Sequence, residues 1–314
     1  MSLNRRNFLQ QMGGLTAGLA LAPELLWTGT ADKKMFFKIS LAEWSLHKAI
    51  FSKKMSNLDF PLVAKRDFGL DTVEYVSVFF EDKQKDKNYL KELLMRSKDN
   101  GVNNHLMMVD GMGDLGAPDK KDRQQALENH KHWVDASKYL GCKLMRVNVS
   151  GLGKPEDMQK AGAEGLSQLA EFAKPMKVHV LVENHGGMSS DASWLNGVVK
   201  QADTKNTGIL ADFDNFCVMS ESGIAADGKC KNEYNRYKGM TEMMPYVKGI
   251  SAKTHYFNEK GDCVETDFYK MLKIIKDGGY RGYISAEFEG PNLTEEEGIK
   301  KTIALLRKAG AQVS

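Results

Sequence analysis

The chain has 314 residues, of which 42% are hydrophobic and 27% are charged, and its formal net charge is +3. This balance is typical of a globular protein and excludes a disordered chain, a collagen and a coiled-coil rod. A nearly neutral chain has no general electrostatic attraction for nucleic acid, and four cysteines are too few for a disulfide scaffold.

The N-terminus has the features of an export signal. The sequence NRRNFLQ resembles the twin-arginine motif, and an apolar stretch without acidic residues follows over 12–22. That stretch is too short to span a membrane, and small residues before Asp32 suit a cleavage site. The alternative is an ordinary amphipathic helix that contains two arginines. We predict a signal segment over residues 1–31, export to the periplasm by the twin-arginine route, and no membrane anchor after processing.

From residue 35 onward, segments typical of strands and helices alternate. In the first half we predict strands over 36–42, 72–78, 102–109 and 143–149, and helices over 60–68, 89–98, 121–140 and 155–173. In the second half we predict strands over 178–183, 207–212, 249–255 and 283–287, and helices over 193–202, 237–244, 268–276 and 295–308. A loop of about twenty residues follows the sixth strand, and its length suggests a functional excursion.

Eight strand–helix pairs predict a single α/β domain over residues 35–314, a (β/α)₈ TIM barrel. The competing architecture is an open, doubly wound sheet. Such a sheet usually has a glycine-rich turn after its first strand, whereas this strand runs into the glycine-free sequence EWSLH.

Ionisable residues end the last four predicted strands, at the edge where barrels carry catalysis: Glu183, Asp212, His255 and Glu287. Such groups are costly at the ends of apolar strands unless they are paired or bound to a metal. Each has a plainer explanation, such as an ion pair between Glu183 and Lys253 or a rim position for His255. Together, however, three carboxylates would repel one another without a cation. We therefore predict one divalent metal ion, Mn²⁺, Mg²⁺, Co²⁺ or Zn²⁺.

The first four strands supply candidates for substrate binding on the other half of the mouth. Trp44 could stack on a sugar ring or belong to the core. Arg146 and Asn148 share one strand face and could bind hydroxyls, while Glu74 could bind substrate or form a buried pair with Arg146. His185, just after the fifth strand, is a further candidate for binding or proton transfer.

Four segments carry a family resemblance: VENHGG (182–187), ILADFDNF (209–216), ISAKTHYF (250–257) and GYRGYISAEFEG (279–290). On these segments the chain resembles the xylose isomerase-like TIM barrel superfamily, which holds sugar isomerases, keto-sugar 3-epimerases and endonuclease IV-type repair enzymes. It is similar in particular to exported proteins of the sugar phosphate isomerase/epimerase group. The resemblance implies that the metal ligands of the family correspond to the four residues that end strands five to eight.

Two positions depart from the family pattern. Where epimerases of the family often have a substrate-binding histidine, this chain has Asn215. The strand-seven histidine usually precedes a lysine by two residues, whereas Lys253 here precedes His255. Either His255 ligates the metal, or Lys253 occupies the ligand position and three protein ligands remain.

A metal that holds a ketone oxygen and a neighbouring hydroxyl would stabilise an enediolate. We predict that Glu183 and Glu287, three strands apart, exchange the proton next to the carbonyl as acid and base. The predicted activity is that of a sugar isomerase or epimerase, and an acidic 295–297 segment favours an unphosphorylated sugar.

Three alternatives remain open. The first is a lyase or hydratase that acts on 3-keto-glycosides or their enol products at the same metal site. The others are an endonuclease IV-like phosphodiesterase, which would need more histidines, and a non-catalytic sugar-binding barrel. The expected partner is a small carbohydrate rather than nucleic acid, and the sequence does not determine the oligomeric state.

Processing of the N-terminus can be tested directly. We expect mature protein recovered from the exported fraction to begin near Asp32, because a signal peptidase would remove the preceding segment. N-terminal sequencing would show this. Retention of Met1, or protein confined to the cytoplasm, would contradict the prediction.

Overall fold

The computed structural model describes residues 35–150, 153–202, 205–221 and 229–314. The predicted signal segment, residues 1–31, lies outside these ranges. Among the described residues, no helix is long and apolar enough to cross a membrane.

A closed barrel of eight parallel strands forms the centre of the described chain, in the order β1-β10-β9-β6-β5-β4-β3-β2. Its strands are β1 (Lys38–Ala42), β2 (Thr72–Val76), β3 (Asn103–Met108), β4 (Leu144–Val147), β5 (His179–Glu183), β6 (Thr207–Asp212), β9 (Val247–Thr254) and β10 (Tyr283–Phe288). The predicted (β/α)₈ barrel is therefore confirmed, and β9 and β10 are its seventh and eighth strands.

Helices follow the strands around the barrel. They are α1 (His47–Phe51), α2 (Phe60–Phe68), α3 (Lys87–Asp99), α4 (Lys120–Leu140), α5 (Pro155–Ala173), α6 (Ala192–Gln201), α7 (Arg236–Met243), α8 (Phe268–Asp277) and α9 (Glu295–Val313). Several begin at aspartates whose carboxylates accept hydrogen bonds from the first free backbone N–H groups, as Asp119 does before α4. The same helix ends at Gly141, whose φ of 87° lies in the left-handed region that glycine tolerates.

The described residues form two apolar cores. The larger one lies between the strands and the surrounding helices. The smaller one fills the barrel interior and consists of Ala42, Val76, Leu106, Met108, Leu144, Leu181 and Leu210. Buried polar residues occupy the rest of the interior, among them Ser40, Ser251 and Ser285. Because burial of such groups is costly, this interior already points to a functional site.

A short hairpin lies in the long loop after β6, where no regular structure was predicted. Its antiparallel strands are β7 (Cys217–Ser220) and β8 (Cys230–Glu233). Cys217 and Cys230 form a disulfide, and Cys142 and Cys263 are buried free thiols.

Loss of this disulfide should destabilise the protein. The bond joins residues 13 positions apart, and closing a loop of that length contributes up to about 3 kcal/mol. We expect the double variant Cys217→Ser/Cys230→Ser to unfold at a lower urea concentration than the wild type. A reducing agent should shift the wild type alone, so equal shifts in both proteins would refute a stabilising disulfide.

Candidate active site

A cavity of about 560 Å³ opens at the carboxyl ends of the barrel strands. Eight predicted site residues line it: Glu183, His185, Lys253, His255, Glu287, Trp44, Arg146 and Asn215. Asp212 lies deeper and is fully buried, while Glu74 and Asn148 also lie outside the lining. The volume is that of a site for a small molecule.

Arg146 on β4 organises one side of the cavity. Its Nε lies 2.8 Å from Glu183 Oε2, and its Nη1 donates a hydrogen bond to Asp110. Asn148 also donates to Asp110, at 2.7 Å. Glu74 and Arg146 therefore do not form the buried pair that the sequence suggested. Arg146 pairs instead with the carboxylates at the cavity rim.

Lys253 on β9 organises the opposite side. Its side chain is 6% exposed, and its Nζ lies 2.8 Å from Glu289 Oε1 and donates to Asn215 Oδ1 at 3.2 Å. Glu183 and Lys253 therefore do not form the ion pair that the sequence suggested. Glu183 pairs with Arg146, and Lys253 pairs with Glu289. Burial opposes the charge on Lys253, but the surrounding carboxylates hold its pKa well above the ordinary value. The side chain is therefore an ammonium ion.

The two predicted acid/base carboxylates face the same cavity from different sides. Glu183 ends β5 and is paired with Arg146, and Glu287 on β10 accepts a hydrogen bond from the hydroxyl of Ser251. Burial raises the pKa of each carboxyl, and the nearby Lys253 ammonium partly offsets that effect. A carboxylate whose pKa is raised is a stronger base than one in water, which suits a group that removes a proton from carbon.

Asp212 is held at the end of β6 by the backbone. Its Oδ1 accepts hydrogen bonds from the N–H groups of Asp214 and Asn215, both at 2.8 Å. Its Oδ2 is buried and has no hydrogen-bond partner within the described ranges. Burial raises the pKa of Asp212 to about 8, although Lys253 opposes the shift.

His255 also lines the cavity, but its partner is a carboxylate outside the predicted ligand set. Its Nε2 lies 3.3 Å from Asp214 Oδ2, and Arg236 donates to the other oxygen of that carboxylate at 2.6 Å. The hydrogen bond with Asp214 raises the pKa of His255. Of the two possibilities for the seventh strand, the structure thus places Lys253, rather than His255, among the carboxylates.

The pKa of His185, the histidine after β5, is shifted in the opposite direction to that of His255. His185 lines the cavity, where desolvation by the surrounding protein and the cations Arg146 and Lys253 lower its pKa to about 4. Its imidazole is therefore neutral near pH 7. A neutral ring can both accept and donate a proton at a bound substrate.

An apolar wall faces these polar groups. Trp44, Val76, Val78 and Met108 line the cavity there. The ring of Trp44 stacks on Phe79 and on the imidazole of His47, with centroids 5.8 and 5.0 Å apart, respectively. Trp44 is half-buried, so one part of the ring supports the wall while the rest faces the cavity.

The described residues do not fit the predicted metal site. No group of three or more histidine, cysteine, aspartate or glutamate side chains among them is arranged to hold a metal ion. The donor chemistry gives the reason, because a lysine ammonium lies among the carboxylates and has no lone pair for a metal. The imidazole of His255 is meanwhile engaged by Asp214.

Sequence reasoning gave little weight to three residues of the site. Glu289 and Ser251 lie two positions from Glu287 and Lys253, so strand alternation could have placed them on the same face. Asp214 could not be found in this way, because it follows the end of β6 and the loop directs its side chain.

The fold and the site together define a (β/α)₈ barrel with an acidic, lysine-containing cavity. Residues 62–309 match the family of xylose isomerase-like TIM barrels. The chain belongs to that family, which confirms the resemblance seen in the sequence.

Two solved structures illustrate the likeness. A D-tagatose 3-epimerase-like protein aligns with a TM-score of 0.67 and 16% identity, over 88% of this chain and 98% of that chain. The IolI protein with a bound zinc atom aligns with a TM-score of 0.64 and 16% identity, over 88% and 99% of the two chains. Identities this low establish a shared fold only.

A sequence relative covers a shorter part. Over 74 residues the chain is 34% identical to the C-glycoside deglycosidase alpha subunit of Arthrobacter globiformis. The match covers 22% of this chain and 21% of that subunit. The chain therefore matches about a fifth of the length of this relative.

Glu74 should make stability depend on pH. It accepts a hydrogen bond from Ser40 at 2.7 Å, and burial raises its pKa to about 8. Because the folded pKa is above the unfolded value of 4.5, the neutral carboxyl contributes stability that is lost as pH rises from about 4.5 to about 8. We expect the free energy of unfolding of Glu74→Gln to fall less than that of the wild type over this pH range, by an amount on the order of a few kcal/mol.

Urea unfolding at pH 5 and pH 8.5 would measure this effect. The exposed Glu81→Gln variant provides a control that keeps the wild-type dependence. If the wild type and Glu74→Gln lost the same stability between the two pH values, the predicted contribution of Glu74 would be wrong.

Proposed function

We propose that this barrel is a sugar isomerase- or epimerase-like enzyme that moves the proton next to the carbonyl of a keto sugar through an enolate. The observation that carries the proposal is the pair of buried carboxylates, Glu183 and Glu287, that face one cavity from different strands. One carboxylate would remove the proton, the electron pair would move toward the carbonyl oxygen, and the other would return a proton. Return to the same carbon epimerises, and return to the neighbouring carbon isomerises.

Fixed donors support this chemistry. Arg146, Lys253 and Asn215 present N–H groups around the cavity and can bind the hydroxyls and the carbonyl oxygen of a sugar. Donors held in a buried site stabilise charge that develops in a transition state, because they need not reorient. The family membership and the epimerase-like neighbours support a carbohydrate substrate.

The charge of the cavity favours an unphosphorylated sugar. Among the described residues, Arg146 and Lys253 are the only permanently cationic ones that line it. Five carboxylates also line it: Asp110, Glu183, Asp214, Glu287 and Glu289. The three glutamates that open α9 add negative charge after β10, where barrels often bind phosphate. A phosphate dianion would be repelled at this mouth.

The apolar wall supports a second candidate, elimination or hydration of a 3-keto-glycoside. A free pentose or hexose offers only the small C–H face of its ring to Trp44, Val78 and Met108, whereas the aglycone of a glycoside could cover more of this apolar wall. The short similarity to a C-glycoside deglycosidase subunit supports the same class. The same removal of a proton next to the ketone would initiate elimination, with the aglycone as leaving group. Export, which we retain as a proposal, would suit an enzyme that meets glycosides before uptake.

Deuterium exchange separates these outcomes. The purified protein would be incubated in D₂O with unphosphorylated ketoses, their phosphate esters and 3-keto-glycosides, and followed by NMR. Deuterium at a carbon next to the carbonyl would support enolate chemistry, and release of the aglycone would identify elimination. A binding protein would exchange none of these protons.

Glutamine substitution tests the two bases. We expect Glu183→Gln and Glu287→Gln each to slow exchange by about 10²–10⁴-fold, because the amide keeps the shape but cannot accept the proton. The exposed Glu171→Gln variant on α5 provides a control for the chemical change. If either site variant exchanged the substrate proton at the wild-type rate, that glutamate could not be its base, and His185 would become the better candidate.

A further inference from the structure

Lys253 occupies a central position among the acidic strands. In the parallel pairing of β9 and β10, its Cα lies opposite that of Glu287, and Ser251 on the same face lies opposite Asp212 on β6. The ammonium therefore extends between the strands that carry Asp212 and Glu287. It interacts electrostatically with both carboxylates and also with Glu183.

The contacts of Lys253 fix its ammonium in place. The side chain is 6% exposed, the Nζ–Oε1 distance to Glu289 is 2.8 Å, and Asn215 Oδ1 accepts a further hydrogen bond. Within the described part of the chain these contacts use two of the three N–H donors of the ammonium, so the third can reach a ligand. Because Lys253, Glu183 and Glu287 all line the cavity, that donor can meet a bound carbonyl oxygen beside the proposed bases.

The neighbouring histidine is held in a separate network. Asp214 accepts from Arg236 through one oxygen and lies 3.3 Å from His255 Nε2 through the other. The order Lys253-Thr254-His255 thus has a structural consequence. The residue whose side chain enters the barrel is a permanent cation, and the residue two positions later remains at the rim.

We infer that the ammonium of Lys253 is the resident cation of this active site and does the electrostatic work for which a divalent metal was predicted. The inference rests on the proposed enolate chemistry. When a glutamate takes the proton next to the carbonyl, the C–H electron pair forms the carbon–carbon double bond and the carbonyl oxygen becomes negative. The ammonium stabilises that oxygen by a charge-assisted hydrogen bond. When a proton returns to carbon, the carbonyl group forms again and its oxygen loses the negative charge.

Metal content tests the inference without any substrate. The full-length protein would be incubated with an excess of MnCl₂, CoCl₂ or ZnCl₂, passed through gel filtration and measured by elemental analysis. We expect the wild type and the exposed Lys160→Met control on α5 to retain no stoichiometric metal. We expect Lys253→His to retain about one ion per chain, because an imidazole would join the carboxylates of Glu183, Asp212 and Glu287 as a ligand. A wild-type protein that retains one ion per chain would overturn the inference, whatever the variants do.

Exchange kinetics test the role of the ammonium. Circular dichroism would first establish that Lys253→Met is folded. Its exchange rate should then fall by about 10²–10³-fold, as for loss of one oxyanion donor, while a chelator such as EDTA leaves the wild-type rate unchanged. Loss of wild-type exchange in EDTA, restored by metal, would contradict the inference. So would covalent capture of a keto sugar on Lys253 by borohydride, since an imine requires the uncharged amine.

The two proposals fail in different ways. If the wild type exchanges no proton of any keto sugar or 3-keto-glycoside, with or without added MnCl₂, CoCl₂ or ZnCl₂, the proposed function is wrong, and the metal-content measurement alone then tests the inference about Lys253. If the protein exchanges such a proton but requires a bound metal, the proposed function holds and the inference about Lys253 is wrong.

Discussion

The balance between buried carboxylates and two buried cations is the constraint on which the rest of the site depends. Glu183, Asp212 and Glu287 are almost completely removed from water at the ends of three strands. Isolated charges at such depth would each cost several kcal/mol. Arg146 and Lys253 supply the opposite charge from neighbouring strands, each through a contact of 2.8 Å to a carboxylate. These paired groups form much of the polar lining of the cavity.

The architecture could be predicted from the sequence because local signals repeat along it. Helices α2 and α5 have the predicted bounds, since Gly69 ends the first and Pro155 begins the second. The β7–β8 hairpin was missed because each strand has only four residues, and because β8 is exposed throughout and polar in three of its four residues. The ionisable groups could be placed at the carboxyl end of the barrel because they stand at the ends of the apolar strand segments.

The partners of those groups could not be predicted in the same way. Alternation gives the face of a strand, but it does not state which of several charges across the barrel will meet. Arg146 could have paired with Glu74 on β2 and pairs instead with Glu183 on β5. The choice between Lys253 and His255 depended on Asp214, a loop residue whose direction is set by the backbone after β6. The sequence pattern does not state which charged side chains meet across the barrel. The register of the barrel strands determines these pairs.

The disulfide hairpin has a consequence for recognition. Cys217 both lines the cavity and forms the bond to Cys230, so part of the binding wall is joined covalently to the adjacent strand. A wall restrained before the ligand arrives loses little conformational freedom when the ligand binds, and more of the contact energy then remains as affinity. Reduction of this bond would therefore act on ligand affinity as well as on folding, and the redox state of the surroundings becomes a determinant of how tightly the cavity binds its ligand.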